Sequence, residues 1–236
     1  VPNKEPFNVR VAHGMVLGSD GEKMSKSKGN VVNPDDIIRQ YGADTLRCYI
    51  MFMGDYEKEV SWNDHGVAGS RRFLDRIIKT AEKVRDGNTY SAALEKSFHK
   101  TIKKVTADID DMKFNTAIAS LMILLNEIDD VPHITQKDYR TLLHLLNPFC
   151  PHMTEELNQQ LARGEELAKS DWPTYDEAKT IEEEKEIERI LGDLAAHVAR
   201  LADELTWTVE ALADLDLAMA KGRYANVLDA TEPELI

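Results

Sequence analysis

Three ammonium groups fall within six residues, at Lys23, Lys26 and Lys28. The hydroxyls of Ser25 and Ser27 lie between them, and Gly29 and Asn30 follow. Lysines neutralise phosphate charge as point charges, hydroxyls and backbone N–H groups donate hydrogen bonds, and a glycine lets the backbone approach a ligand closely. The pentamer Lys23-Met24-Ser25-Lys26-Ser27 therefore has the chemistry of a loop for an anionic ligand. Met24 is its one apolar member and predicts an anchor on an apolar surface. As a bare pentamer it reads equally well as a solvated lysine-rich loop.

A second concentration of charge lies further on. From Arg71 to Lys104 there are ten bases and four acids, whereas the chain as a whole carries a net charge of -13. A uniform negative charge of that size would repel nucleic acid, but a local basic stretch can meet a phosphate backbone. Arg71, Arg72, Arg76, Lys79 and Lys103 are its candidate contacts. A solvated helix face is the simpler alternative. From Glu188 onward the balance reverses, with ten acids and four bases.

Elements to position these residues can be read from periodicity and punctuation. Residues 1–32 suggest loop and short strand, with Phe7, Val9 and Val11 alternating and Met15-Val16-Leu17 apolar. Asn33 is an N-cap, Pro34 suits the first helical position, Asp35 and Asp36 face the positive end of the dipole, and Gly42 closes the helix. A second helix spans Asp44 to Met53. The next carries Val67, Phe73, Leu74, Ile77, Ile78, Ala81 and Val84 up to Gly87-Asn88. Further helices are predicted over Ser91 to Asp111, Phe114 to Asp129, Thr135 to Pro148 with Asp138 completing a capping box, and Pro151 to Gly164. Residues 165–182 suggest an exposed connector around Trp172-Pro173. Long helices with short turns predict a mainly α protein built on an antiparallel bundle.

The last segment has a different pattern. Ile187, Leu191, Leu194, Val198, Leu201, Leu205, Thr208, Leu212, Leu215 and Met219 alternate by fours and threes, a heptad seam with one polar member. Such a seam predicts a continuous helix over 188–220 that needs a partner surface, and so self-association through residues 187–219. No run of about 18 apolar residues occurs, which excludes a membrane-spanning helix. Cys48 and Cys150 form neither a disulfide framework nor a CxxC site; buried packing in a cytoplasmic protein is their expected role. His144 and His152 have no carboxylate at HExxH spacing, and no metal site is expected.

The stretch from His13 through Lys23-Met-Ser-Lys-Ser27 to Tyr41-Gly-Ala-Asp-Thr-Leu-Arg47 resembles class I aminoacyl-tRNA synthetases in their leucyl version. The similarity continues through Trp62 and Gly69–Arg76, Met112–Ala119, Leu146–Leu157 and Asp171–Glu177, and covers residues 1 to about 187. Asn158 departs from it, standing where that family usually has Trp. The resemblance implies that the loop closes over ATP, with Mg2+ in the complete enzyme, and stabilises pyrophosphate as leucyl-adenylate forms. Lys26 would be the main ATP contact and Lys23 its support, within the site Lys23, Met24, Ser25, Lys26 and Ser27. It implies that 1–63 ends a catalytic domain, that 64–165 is an anticodon-binding-type bundle touching the tRNA backbone, and that 166–187 connects. None of the seven histidines stands in an H-x-G-H pattern, so the resemblance implies a fragment inactive alone. Residues 188–236 resemble the core helices of endonuclease-type paralogues of MutS, without a Walker A motif. The alternative functions are a non-catalytic RNA-binding module and a helical interaction or fusion scaffold.

Overall fold

A computed structural model describes residues 9–162 and 165–227. It divides into two compact units, residues 1–180 and 181–236. Phe7, Gly164 and the 230–234 stretch lie outside the described residues.

The first unit opens with β1 (Val16–Leu17), α1 (Pro34–Tyr41), α2 (Ala43–Phe52) and β2 (Val60–Ser61). Val16 pairs in parallel with Val60 and Leu17 with Ser61. Val9 and Val11 are exposed and form no strand. The start of α1 follows from its sequence: the Asn33 side chain accepts the Asp35 N–H, Pro34 has no N–H and needs no acceptor, and the chain leaves at Gly42 with φ 92°. That φ is one a β-carbon disfavours, which is why a glycine stands between α1 and α2.

The bundle follows: α3 (Asp64–Thr80), β3 (Val84–Arg85), α4 (Glu95–Asp110), α5 (Phe114–Asp130), β4 (Ile134–Thr135), α6 (Gln136–Leu146) and α7 (Pro151–Leu157). Phe73 and Ile77 of α3, Phe98 and Ile102 of α4, Leu121 and Leu125 of α5, and Leu142 and Leu146 of α6 meet in one core. Each is a helical-spacing position, whereas Ile78, in the same predicted row of α3, is exposed.

The third helix ends earlier than its apolar spacing predicts. After Thr80 the chain makes a 3-10 turn, and Val84–Arg85 pairs in parallel with Ile134–Thr135. The change places the Lys83 ammonium on the end of α5, where it donates to the carbonyls of Ile128, Asp129 and Val131 at 3.1, 2.8 and 3.0 Å. A cation there satisfies orphan carbonyls and meets the negative end of the dipole. Residues 91–94 form a turn ahead of α4, because Asp138 holds them there. Its carboxylate accepts the Ser91 N–H at 3.2 Å and the Thr135 N–H at 2.9 Å, and Thr135 Oγ1 accepts the Asp138 N–H at 3.1 Å. The capping box is thus complete, and it pins a distant turn as well.

Two further differences concern the end of the unit. A π-helical turn, Asn158–Ala162, follows α7. It starts at Asn158, which is fully buried; Nδ2 donates to the Glu165 carbonyl at 3.1 Å, and Oδ1 has no partner. The connector is not simply exposed: Leu167 is buried, and Trp172 packs on the core with Nε1 donating to Thr106 Oγ1 at 2.8 Å.

The helix α8 (Glu177–Arg200) runs into the second unit, where α9 (Ala202–Val227) follows. The predicted single heptad helix is therefore broken by a turn at Leu201. Leu191, Leu194, Leu201, Leu212, Leu215 and Met219 are exposed. No helix among the described residues is long and apolar enough to cross a membrane.

The segment carrying α1 and α2 is fastened to the bundle by polar contacts. Asp44 of α2 is buried, and its carboxylate accepts from the Met153 N–H at 2.6 Å and from His152 Nδ1 at 2.8 Å. Arg47 donates to the carbonyls of Phe149 and Pro148 at 3.2 and 3.1 Å. Cys48 and Cys150 are buried in the same seam, and the Cys48 thiol beside it, together with burial, pushes the Cys150 thiol well up. Removing Asp44 leaves the half-buried Met153 N–H at the start of α7 without its acceptor. Asp44→Ala should lower the unfolding free energy by about 1–3 kcal/mol, read from urea denaturation. Asp36→Ala, which removes only an exposed ion pair with Arg39, should move it by about 0.5 kcal/mol or less.

Candidate functional site

The lysine-rich loop is built on β1. Leu17 forms an antiparallel bridge with Lys23, and the Gly18 N–H donates to the Glu22 carbonyl at 2.8 Å. Between them Gly21 turns with φ 75°. A β-carbon at Gly18 would lie 2.6 Å from Asp20 Oδ1 and 3.0 Å from Asn30 Nδ2, so only glycine lets these side chains close over it. Asn30 is the clasp: its Oδ1 accepts the Ser25 N–H at 2.8 Å and its Nδ2 donates to Asp20 Oδ2 at 3.0 Å. The Glu22 amide, and after it Asn30 and Lys28, hold the Asp20 carboxyl below the usual carboxylate range.

Within the clasp the chain turns tightly. The Lys28 N–H donates to the Ser25 carbonyl at 3.1 Å and the Gly29 N–H to the Lys26 carbonyl at 3.3 Å, with Gly29 at φ 68°. The Ser25 and Ser27 hydroxyls share a hydrogen bond of 2.7 Å. Met24 is half-buried and packs on the cluster of Leu46, Tyr49, Trp62 and Val67, the anchor its type predicts. Lys28 is committed to Glu22 at 3.1 Å. Lys23 and Lys26 are exposed, and their ammonium groups have no hydrogen-bond or ion-pair partner among the described residues. Two of the three ammonium groups thus remain open to an anion. The sequence reading overlooked Asp20, Glu22 and Asn30 as organisers; the signals were the Asp-Gly turn and an Asn directly after a glycine.

The basic residues separate into two places. Arg71, Arg72, Arg76 and Lys79 lie on α3. Arg71 pairs with Asp75 at 2.8 Å and donates to the Tyr41 carbonyl at 3.2 Å. Arg76 pairs with Asp129 at 2.6 Å and donates to Asn126 at 2.8 Å. With Lys79 it borders a hollow of about 280 Å3 that also takes in Lys83 and Asp129. Lys103 lies on α4 instead, paired with Glu177 at 2.6 Å. Of the ten bases from Arg71 to Lys104, only Arg72 and Lys79 make no hydrogen bond or ion pair among the described residues. No group of His, Cys, Asp and Glu among the described residues is placed to hold a metal ion.

Residues 1–63 match the family "tRNA synthetases class I (I, L, M and V)", and residues 91–205 match "Anticodon-binding domain of tRNA ligase". A leucine–tRNA ligase of Alkaliphilus oremlandii is 50% identical over 210 residues, which is 87% of this chain and 26% of that protein. The leucyl-tRNA synthetase of Agrobacterium radiobacter K84, solved as a ternary complex with tRNA and LeuAMS, is 30% identical with a TM-score of 0.63, over 71% of this chain and 24% of that one. A methionyl-tRNA synthetase of Mycobacterium tuberculosis in complex with methionyl-adenylate is 19% identical with a TM-score of 0.49, over 62% of this chain and 36% of that one. The chain spans about a quarter of the length of the leucyl relatives it matches. The chain is homologous to the carboxy-terminal region of leucyl-tRNA synthetases, including their anticodon-binding domain.

Proposed function

We propose that this chain serves ATP-dependent attachment of leucine to its tRNA, supplying the ATP-stabilising loop and a helical surface for the tRNA backbone. The observation that carries the loop's part is the pair of unpartnered ammonium groups, Lys23 and Lys26, on a loop whose third lysine is neutralised by Glu22. Lys26, central in the turn, meets the charge that builds on the pyrophosphate as the adenylate forms; Lys23 supports it. Such stabilisation acts on charge that develops in the transition state. Met24 holds the loop's base on the protein, and the Ser25 and Ser27 hydroxyls offer donors to phosphate oxygens. The residues fit a polyphosphate rather than a bare cation, so Mg2+ would arrive on the ATP and not on carboxylates of this chain.

On this reading residues 1–63 complete a catalytic domain, 64–165 form the tRNA-binding bundle, 166–187 connect, and the protein works in the cytoplasm. The tRNA contacts are Arg71, Arg72, Arg76, Lys79 and Lys103, which position the backbone without reading sequence. Arg72 and Lys79 lead, because their charge is not spent on a carboxylate. The anticodon-binding match extends past Ile187 to residue 205. It therefore overlaps residues 188–236, the segment whose sequence reads as similar to MutS-paralogue core helices. A second role is supported by the exposed apolar residues of α8 and α9: self-association through the seam of residues 187–219.

Three outcomes test these assignments. These 236 residues contain no H-x-G-H pattern, so the purified chain should show no leucine-dependent ATP–pyrophosphate exchange. Grafted in place of the matching region of the Alkaliphilus ligase it should support exchange, and Lys26→Ala should reduce the graft's rate by about 10²-fold or more. Binding of tRNA to the chain should weaken steeply between about 50 and about 200 mM salt, and Arg72→Glu with Lys79→Glu should remove most of it; salt-independent binding would contradict the assignment. Sedimentation should find the full chain as a dimer and a chain ending at Glu186 as a monomer, since leaving each large apolar side chain in water forgoes about 1.5–3 kcal/mol.

A further inference from the structure

The third lysine of the loop is held by a carboxylate of the same loop. Lys28 Nζ lies 3.1 Å from Glu22 Oε2, and neither side chain bonds to anything else among the described residues. The two side chains are 53% and 65% exposed. An ion pair so open to water is weak and readily exchanged for a stronger one.

The main chain at each end of the pair is nevertheless fixed. The Glu22 N–H donates to Asp20 Oδ1 at 3.0 Å, its carbonyl accepts the Gly18 N–H at 2.8 Å, and Lys23 beside it bridges to Leu17. The Lys28 N–H donates to the Ser25 carbonyl at 3.1 Å, and Asn30 clasps Ser25 to Asp20. Glu22 and Lys28 are therefore tethered within reach of one another, so the carboxylate acts on the ammonium as an intramolecular partner at high effective concentration.

Charge within the loop is finely balanced. From Asp20 to Lys28 there are three bases and two acids, 3 - 2 = +1. Asp20 is occupied with Asn30. An anion that reaches the open ammonium of Lys26 meets a further cation in the same turn, already taken, and the carboxylate that has taken it. A polyphosphate carries more charge than one carboxylate and competes for that ammonium more strongly, whereas its departure leaves the tethered carboxylate without a rival.

We propose that Glu22 is a built-in competitor for the anion site, which gives up Lys28 to an incoming polyphosphate as a third phosphate contact and takes it back as pyrophosphate leaves. Glu22 thereby holds the loop's affinity below what three free lysines would give, which suits a site that must release its product. It touches no phosphate itself; it is a positioning residue that acts through Lys28. The inference rests on the polyphosphate role proposed above and extends it to two residues outside the pentamer.

The test is titration of the full chain with inorganic pyrophosphate at low salt, followed through the amide resonances of Gly29 and Asn30. Glu22→Gln, which keeps the main-chain bonds, should tighten binding about three- to fivefold, the scale of one exposed charge pair. Lys28→Gln should weaken binding by less than about twofold in the parent chain yet erase the gain in the Glu22→Gln chain, because only there is its ammonium unspent. Glu166→Gln frees Lys169 from a similar exposed pair at 2.7 Å. It controls for net charge and should leave affinity within about 1.5-fold. Equal affinity of the parent and Glu22→Gln chains, a gain that survives Lys28→Gln, an equal gain from Glu166→Gln, or no measurable binding would overturn the inference. Lys26→Gln reports on the proposed function separately: no loss there would contradict that function while leaving the competition for Lys28 standing.

Discussion

Everything around the lysine loop depends on how α2 is held. The loop's own apolar base is small: Leu46, Tyr49, Trp62 and Val67, with half-buried neighbours such as Met24 and Val16. A cluster of that size would not order 40 residues of loop and short helix against their conformational entropy. α2 solves this by having two inner faces. Leu46 and Tyr49 support the loop side, while Cys48 joins the bundle core. Asp44 and Arg47 then tie the same helix to the turn between α6 and α7 through buried or half-buried polar bonds. The loop's position is thus inherited from the bundle through one ten-residue helix.

Charge shows the same economy of position. A chain of net -13 has acids enough to neutralise its basic stretch. They do so selectively: Asp75 takes Arg71, Asp129 takes Arg76, Glu177 takes Lys103 and Glu22 takes Lys28. Exposed pairs of this kind contribute little to stability, so their main effect is on where positive charge remains. It remains at Lys23 and Lys26 in the loop and at Arg72 and Lys79 on α3. Counting bases along the sequence located the α3 stretch but could not distinguish spent from unspent charge.

The sequence made the helices and their inner faces readable, because caps and apolar spacing are local signals. Asn33-Pro34 and the Thr135–Asp138 box formed as expected, and the apolar rows of α3 to α6 face the core except at Ile78 and beyond Thr80. What it hid was long-range. Val84 continues the helical spacing of α3, yet it pairs with Ile134, fifty residues away. Trp172 looked like part of an exposed connector, but its partner Thr106 lies on α4. The loop was recognisable by its pentamer, whereas Asp20, Glu22 and Asn30 matter only once the Gly18 turn brings them together.

The loop's construction also suits a part that must change shape. Its base is anchored by an apolar contact at Met24, but between Met24 and Asn30 it is held by hydrogen bonds that are half-buried or exposed. Each such bond contributes about 0.5–1.5 kcal/mol net, so breaking two or three lies within what binding a polyphosphate can offset. The Ser25–Ser27 hydroxyl bond is especially replaceable, since both groups can turn to phosphate oxygens instead. The Asp20–Asn30 clasp sits at the loop's root, where it can persist while the tip rearranges. On the proposed reading, Lys26, fixed at the root and loose at the tip, would follow the charge onto the leaving pyrophosphate without carrying the bundle with it.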